Sequence, residues 1–418
     1  VGSDVNGRLP KRLSGEKRAG KRLDLEAMKV CVISNKECWQ DESGTWLSSG
    51  GFPLQMEGIG SLFDAMTLVI VRRPPCGGGI PLPRSARIVA LPWLPDATAR
   101  RRLVLVGRLP GYLREMARAI GEADVVHTPL PGDIPFLGML LTLLLRKRLL
   151  VRYCGSWAVT SQATRMTRIM RAWMRWHAGG RNVMLATGAG PEPPAPRMHW
   201  IFTTAITESE VAAVRPDLDR PCQSPPRLAT VGRLAQVKNI PCLIEAIARL
   251  REQGDLGPKV PRLAIIGDGP QRGELEQLVH QRGCKDLIRF TGQLNREELV
   301  KELLQTDLCV QPSLSESYCK ALLDAMLCGV PVMATDVGAI RHVIGGDGQR
   351  GWILPVAEPG RLADDLRRRL SDPSDWPALR RRCRAYVEAM TVEAWSERIG
   401  ELCAEQWSFT LREAKLQA

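Results

Sequence analysis

No stretch of the 418 residues approaches the ~18 consecutive apolar residues that a membrane-spanning helix requires, so none is expected. The nearest run, residues 136–145, is closed by Arg146-Lys147-Arg148 and suits a helix covering a sheet. The N-terminus is charged and lacks the apolar core of a secretory signal. Twelve cysteines are scattered without a single C-x-x-C pair, and the five histidines do not cluster with them, so no metal site is expected. Cys309, Cys319, Cys328, Cys383 and Cys403 fall inside apolar or helical patterns and read as reduced core thiols of a cytoplasmic protein. Acid is short in the first half only. Residues 1–200 carry 29 Lys/Arg against 15 Asp/Glu, and the remainder 29 against 30. A basic half suits nucleic acid, an anionic membrane surface or a phosphorylated acceptor, or else reflects an arginine-rich composition without a partner. No basic-aromatic stacking motif accompanies it, which argues against nucleic acid.

What is present fits two domains of ordinary size: the length allows them, and 44% apolar residues supply their cores. Residues 1–27 are polar and basic and read as a disordered arm, with Met28 directly before the first strand and placed as a possible start. Residues 28–214 form the first expected domain. Strands are expected at 29–34, 68–71, 87–91, 123–128 and 149–153, a further short apolar run lies at 104–106, and helices are expected at 61–66 and 136–145. This alternation predicts a parallel sheet. Gly50-Gly51 follows the first strand, where a glycine pair serves either turn geometry or close approach of a ligand. His127 is placed at a strand's carboxyl end, where ligands sit in open α/β sheets, with Pro129 two residues on. Residues 164–177 set Arg165, Arg168, Arg171 and Arg175 against Met166, Ile169, Met170, Trp173 and Trp176. Such a helix suits a membrane surface, or packs on its own domain with a solvated arginine face.

Residues 215–226 are proline-rich and read as the linker; Asp217 and Asp219 within it are rejected as a metal pair. The second expected domain covers 227–390, with a last segment at 391–418. Its strand 227–231 is followed by Gly232, Arg233 and Lys238, two cations beside a turn that can clamp phosphate. Strands at 263–267 and 288–291 come next. Between apolar runs at 307–310 and 330–335 lies a helix with Ser315 and Ser317 as N-cap candidates and Gly329 as its C-terminal glycine. Glu316 and Asp324 flank it, eight steps apart and ~80° from a whole number of turns, so both can face one ligand. The N–H groups of Tyr318, Cys319 and Lys320 would meet a phosphate between them. Two solvated surface acids are the alternative.

Ser315-Glu316, seven residues, Asp324, then Ala-Met-x-Cys-Gly-Val-Pro-Val resembles the donor site of retaining glycosyltransferases of family 4, as does Gly-Arg-Leu followed by Lys238. The resemblance is specific over 227–400 and architectural before that. It implies an α/β GT-B fold, two Rossmann-like doubly wound domains facing a central cleft, with the final helix crossing back to the first domain. It implies transfer of a sugar from a nucleotide diphosphate sugar, the donor substrate, to a glycan or lipid-linked acceptor, in cell-envelope or exopolysaccharide synthesis. No other cofactor is implied. Arg233 and Lys238 would bind the diphosphate, Glu316 the donor sugar and Asp324, where the family usually has Glu, the ribose. Gly232 and Gly51 would line the site, and His127 would contact the sugar or acceptor. A catalytically inactive nucleotide-sugar binder of the same fold is the alternative. The implied location is cytoplasmic, with peripheral contact at the inner membrane face.

Overall fold

The computed structural model describes residues 25, 27–93, 99–157, 164–254, 259–346, 348–354 and 358–407. Of the expected arm only Leu25 and Ala27 lie within the described residues, and Leu25 is already buried in a core. Two compact units emerge. The first holds the described residues of Pro10–Thr207 and Val392–Ala418, the second Glu208–Thr391.

In the first unit the strands are β1 (Lys29–Gln40), β2 (Trp46–Ser48), β3 (Ala65–Arg72), β4 (Ile80–Pro81), β5 (Ala86–Leu91), β6 (Val125–Leu130), β7 (Arg148–Tyr153), β8 (Asn182–Thr187) and β9 (Met198–Ile201). Parallel pairing gives the order β5-β3-β1-β6-β7-β8-β9, while β2 and β4 add antiparallel to the outer end of β1. Alternation along β1 explains the layering. Val30 and Val32 enter a core with Phe52, Met56 and Ile59 of helix Phe52–Gly60 and Trp395 of helix Val392–Trp407. Cys31 and Ile33 enter the opposite core with Tyr112, Met116 and Ile120 of helix Ala99–Gly121.

Two local expectations are corrected here. Residues 61–66 are not a helix; Phe52, Met56 and Ile59 recur at 4 and 3, and the helix forms on them instead. Gly58 has a packing role in that helix, since a Cβ there would lie 2.9 Å from Val392 Cγ1. The run at 104–106 is part of helix Ala99–Gly121. Helix Asp133–Leu144 covers the sheet where 136–145 was expected. Helix Arg165–His177 packs inward through Met170, Arg171 and Met174, not through its tryptophans. No helix among the described residues is long and apolar enough to cross a membrane.

The second unit carries β10 (Arg227–Val231), β11 (Arg262–Ile266), β12 (Ile288–Gly292), β13 (Leu308–Gln311), β14 (Val332–Thr335) and β15 (Gly351–Leu354), all parallel, in the order β12-β11-β10-β13-β14-β15. The direction of winding reverses between β10 and β13, and in such sheets the crevice at the reversal, beyond the carboxyl ends, receives ligands. The expected linker, 215–226, lies on this unit. Arg220 pairs with the buried Asp307 at 2.6 Å, and Arg380 donates to the Arg220 carbonyl. Ion pairing at its centre holds this proline-rich segment on the second unit.

Candidate active site

Three backbone turns build the crevice at the β10/β13 reversal. The first, after β10, is held close to the glycine turn after β11. Gly232 N donates to Ile266 O at 2.9 Å, and Leu234 N to Asp268 O at 3.0 Å. Gly267 has φ +130°, and a Cβ there would sit 2.0 Å from Gly232 O, so only glycine permits this approach. The second turn, after β13, is tied to the first by Leu314 N donating to Val237 O at 2.8 Å and Gln311 Nε2 to Val231 O at 2.9 Å. The third, after β14, backs Glu316. Gly338 has φ +60°, a Cβ on it would lie 2.2 Å from Glu316 O, and Ala339 N donates to Ser317 O at 3.1 Å.

These turns bring Lys238 and Glu316 together. Lys238 Nζ lies 2.5 Å from Glu316 Oε1, and Ser313 Oγ donates to the same oxygen at 2.9 Å. Both ionic side chains are largely buried. Burial works against the Lys238 ammonium, yet its acidic surroundings hold its pKa above the ordinary value. Glu316 supplies that charge; the Cys319 thiol beside it is pushed far up by burial and stays neutral. Gly232 leaves room for the lysine, since a Cβ there would meet Lys238 Cε at 3.1 Å. Arg233 is exposed and forms no ion pair among the described residues.

Helix Lys320–Leu327 begins later than its serines suggest. Cys319, with φ +57°, is the N-cap residue, and neither Ser315 nor Ser317 caps it. The rest of the motif behaves as expected at its end, where Gly329 takes φ +69°. Tyr318 is buried with its hydroxyl 3.1 Å from that of Tyr386, and Lys320 is exposed at the first helical position. Asp324 does not share a partner with Glu316. Its Oδ1 lies 2.6 Å from Arg296 Nη1, and Arg296 Nε is 2.5 Å from Glu210 Oε1. Burial opposes the charge on Arg296, but Asp324 and Glu210 outweigh it and hold its pKa up. Sequence reasoning missed Ser313, Gly338 and the Glu210–Arg296 pair. The three-residue step from Ser313 to Glu316 was a usable signal; the long-range partners of Asp324 left none.

His127 and Gly51 belong to the first unit. Gly51 has φ −80° and precedes helix Phe52–Gly60, an ordinary conformation that needs no glycine. His127 is not at a strand end. β6 continues to Leu130, and the imidazole is fully buried with Nδ1 3.0 Å from Leu150 O. Burial and then the Arg152 guanidinium push its pKa down to about 3. The native imidazole therefore stays neutral while the unfolded chain takes up a proton near pH 6.5. Between about pH 6.5 and 3 the unfolded state binds more protons, so this contribution to stability is complete above 6.5 and lost as pH falls. From pH 7 to 5 the loss is about 2 kcal/mol. His127→Gln is expected to flatten the urea stability of the first unit over that interval. A slope equal to wild type would place the proton uptake elsewhere in that unit, for instance at His199, whose pKa burial also lowers.

The fold is that of the GT-B glycosyltransferases. It matches sucrose-phosphate synthase from Thermosynechococcus elongatus with TM-score 0.66 at 20% identity, covering 91% of this chain and 99% of that one. It matches Anabaena HepE, solved with UDP and glucose, with TM-score 0.63 at 16% identity, covering 90% and 98%. Residues 221–390, which hold the whole Lys238–Glu316 site, match the family Glycosyl transferases group 1. Among curated relatives, the alpha-D-kanosaminyltransferase of Streptomyces kanamyceticus is 29% identical over 283 residues, 62% of this chain and 71% of that protein. Two further relatives, a 2-deoxystreptamine glucosyltransferase of the same organism and a D-inositol 3-phosphate glycosyltransferase of Jonesia denitrificans, are matched over less than half of their length.

Proposed function

We propose that the protein transfers a sugar from a nucleotide diphosphate sugar to a glycan or lipid-linked acceptor with retention of anomeric configuration, in cell-envelope or exopolysaccharide synthesis. The observation that carries this reading is the buried Lys238–Glu316 pair at the carboxyl ends of β10 and β13, inside the segment that matches the group 1 glycosyl transferases. As the bond to the leaving group breaks, negative charge grows on the diphosphate. Lys238, with Arg233 reaching in from the exposed turn, would stabilise it, and the start of helix Lys320–Leu327 adds its dipole. Those cations carry the charge that a metal would otherwise meet. Glu316, fixed by Ser313 and backed by Gly338, orients the donor sugar. Asp324 serves the ribose, exchanging part of its contact with Arg296 for the hydroxyls. All twelve cysteines are free and most are buried, in keeping with a reducing, cytoplasmic setting. HepE's complex with UDP and glucose supports a nucleotide-sugar donor.

The test is a thermal-shift screen over nucleotide sugars, followed by turnover with the stabilising donor. A donor at 100 times its Kd adds ~2.7 kcal/mol to stability. Stabilisation with release of nucleotide diphosphate is the expected result. Stabilisation without turnover supports the second reading, an inactive nucleotide-sugar binder, which the Arg296 hold on Asp324 favours. Absence of stabilisation by every donor refutes both.

A further inference from the structure

We infer that the first unit carries an effector site for a soluble diphosphate, inorganic or part of a nucleotide, at the edge of its sheet opposite to the strands' carboxyl ends. This site does not depend on the catalytic reading.

The site is a cavity of about 460 Å³ lined by Asp124, Arg146, Lys147, Arg148 and Arg181, with Trp407 at its wall. Asp124 directly precedes β6, Arg148 opens β7 and Arg181 directly precedes β8, so the cavity lies at the amino ends of three parallel strands. Open α/β sheets receive their substrates at the other edge, beyond the carboxyl ends. A cavity of this size suits a small ligand.

Its positive charge is built in and left uncompensated. Four cations against one carboxylate leave a formal charge of +3. Asp124 is engaged with the backbone, its Oδ2 accepting from Lys29 N at 2.9 Å. A helix end accounts for one of the cations. Lys147 Nζ donates to Gly121 O at 3.0 Å and to Ala123 O at 2.8 Å, where helix Ala99–Gly121 finishes. Arg146 and Arg181 have no such reason to be there. Neither forms an ion pair among the described residues. Arg181 Nη1 instead donates to the Arg146 carbonyl at 2.8 Å, which brings the two arginines together at one wall.

The backbone at Arg146 points the same way. Arg146 closes helix Asp133–Leu144 with φ +53°, a left-handed position that suits glycine, and its N–H donates to Leu143 O at 3.2 Å. An arginine therefore lines the cavity from a position where the turn by itself favours no side chain. The surrounding chain adds no acid. Between Asp133 and Glu192 it has nine Lys and Arg and no Asp or Glu.

These features select the ligand. A single phosphate group carries about −1.5 to −2 at neutral pH and leaves positive charge over, whereas a diphosphate, at about −3, matches the cavity. Guanidinium groups suit its oxygens, which they bind in pairs. The site also reaches the last turn of helix Val392–Trp407. Trp407 Nε1 donates to Arg181 O at 3.0 Å, and Gln406 Nε2 to Gly180 O at 3.2 Å. A ligand that fixes the Arg181 turn therefore fixes the end of that helix as well.

The experiment is calorimetric titration of the full chain with inorganic pyrophosphate and with adenosine diphosphate at physiological ionic strength. Lys238→Ala serves as the parent protein, so that binding at the turn after β10 does not enter the result. Arg146→Gly and Arg181→Gln are added to it singly. Arg146→Gly suits φ +53° and should leave the unliganded protein at least as stable as its parent, which separates lost binding from lost folding. Pyrophosphate is expected to bind the parent at one site, with each variant and inorganic sulfate at least about tenfold weaker. Bound pyrophosphate should slow backbone hydrogen exchange over residues 180–182 and 403–407, measured by mass spectrometry. The tighter of the two probes identifies the source, inorganic diphosphate or nucleotide. Equal binding by parent and both variants overturns the proposal, as does exchange unchanged at both segments. Sulfate binding as tightly as pyrophosphate would leave only an unspecific positive surface. Tighter binding of a DNA duplex or of phosphatidylglycerol vesicles through the same two arginines would also overturn the assignment to a soluble diphosphate.

Discussion

Replacing Lys238 by alanine is expected to lower sugar transfer by about 10²–10³-fold, with the larger part in kcat. A preorganised cation aimed at developing charge is commonly worth that much, because it acts inside a site from which water is largely excluded. Lys238 meets those conditions. It is largely buried, its pKa is held above the ordinary value, and its Nζ is fixed 2.5 Å from Glu316. The donor diphosphate would draw the same ammonium group without any rearrangement of the turn. Arg233→Ala should act differently. Its side chain is exposed and unpaired among the described residues, so its loss should appear chiefly as a raised KM for donor. Glu316→Gln keeps the shape of the turn and the Ser313 contact but leaves the largely buried Lys238 without its counter-charge, so it should reduce transfer and also lower urea stability, without unfolding the second unit. The measurement is steady-state release of nucleotide diphosphate with and without acceptor. If Lys238→Ala and Arg233→Ala both retain wild-type hydrolysis and transfer, the diphosphate assignment fails.

That site was partly legible because its parts are local. Gly232, Arg233 and Lys238 sit in one turn, and the helix before Gly329 announces its end by a residue type that suits φ +69°. The spacing of Glu316 and Asp324 assumed one helix through both, but Glu316 lies in the turn before helix Lys320–Leu327. Nor did the spacing reveal their partners. Helix Lys320–Leu327 starts at a left-handed Cys319, and neither nearby serine caps it, because the preceding turn is held by contacts from distant loops. Leu314 bonds to Val237 and Ser317 to Ala339, and no local propensity encodes those contacts. Asp324 was placed by its helix, while the ion pairs that hold it come from Arg296 and, through it, Glu210. The same limit explains His127. The apolar run reads as ending at His127, yet β6 carries Pro129 and continues to Leu130 beside β7. Helix Arg165–His177 shows the converse error. Its periodicity was plain, but an amphipathic pattern with arginine at four positions does not say which side faces inward, and Arg171 takes a buried place.

Asp307→Ala is expected to destabilise the second unit by about 3–5 kcal/mol, because it removes the single acid from a buried cationic cluster. The carboxylate is fully buried at the start of β13. Its Oδ1 lies 2.6 Å from Arg220 Nη1 and 3.5 Å from Arg380 Nη2, while Oδ2 accepts from Arg227 N at 2.9 Å and Gln223 N at 3.3 Å. Arg380 is itself 1% exposed, so without Asp307 a guanidinium group remains in a dry site with its charge uncompensated. The two N–H groups lose their acceptor as well, each at a cost of about 1–3 kcal/mol unless water enters. Asp307→Asn keeps the shape and one acceptor oxygen and should fall between wild type and alanine. Because Asp307 lies at the opposite end of β13 from the turn that carries Glu316, activity per folded molecule should be retained. Urea unfolding followed by a probe in the second unit, with transfer measured below the transition, separates the two effects. An unfolding midpoint equal to wild type would show that Arg220 and Arg380 find other partners. Lost activity in a fully folded Asp307→Asn protein would show that the far end of β13 helps to set the position of Glu316.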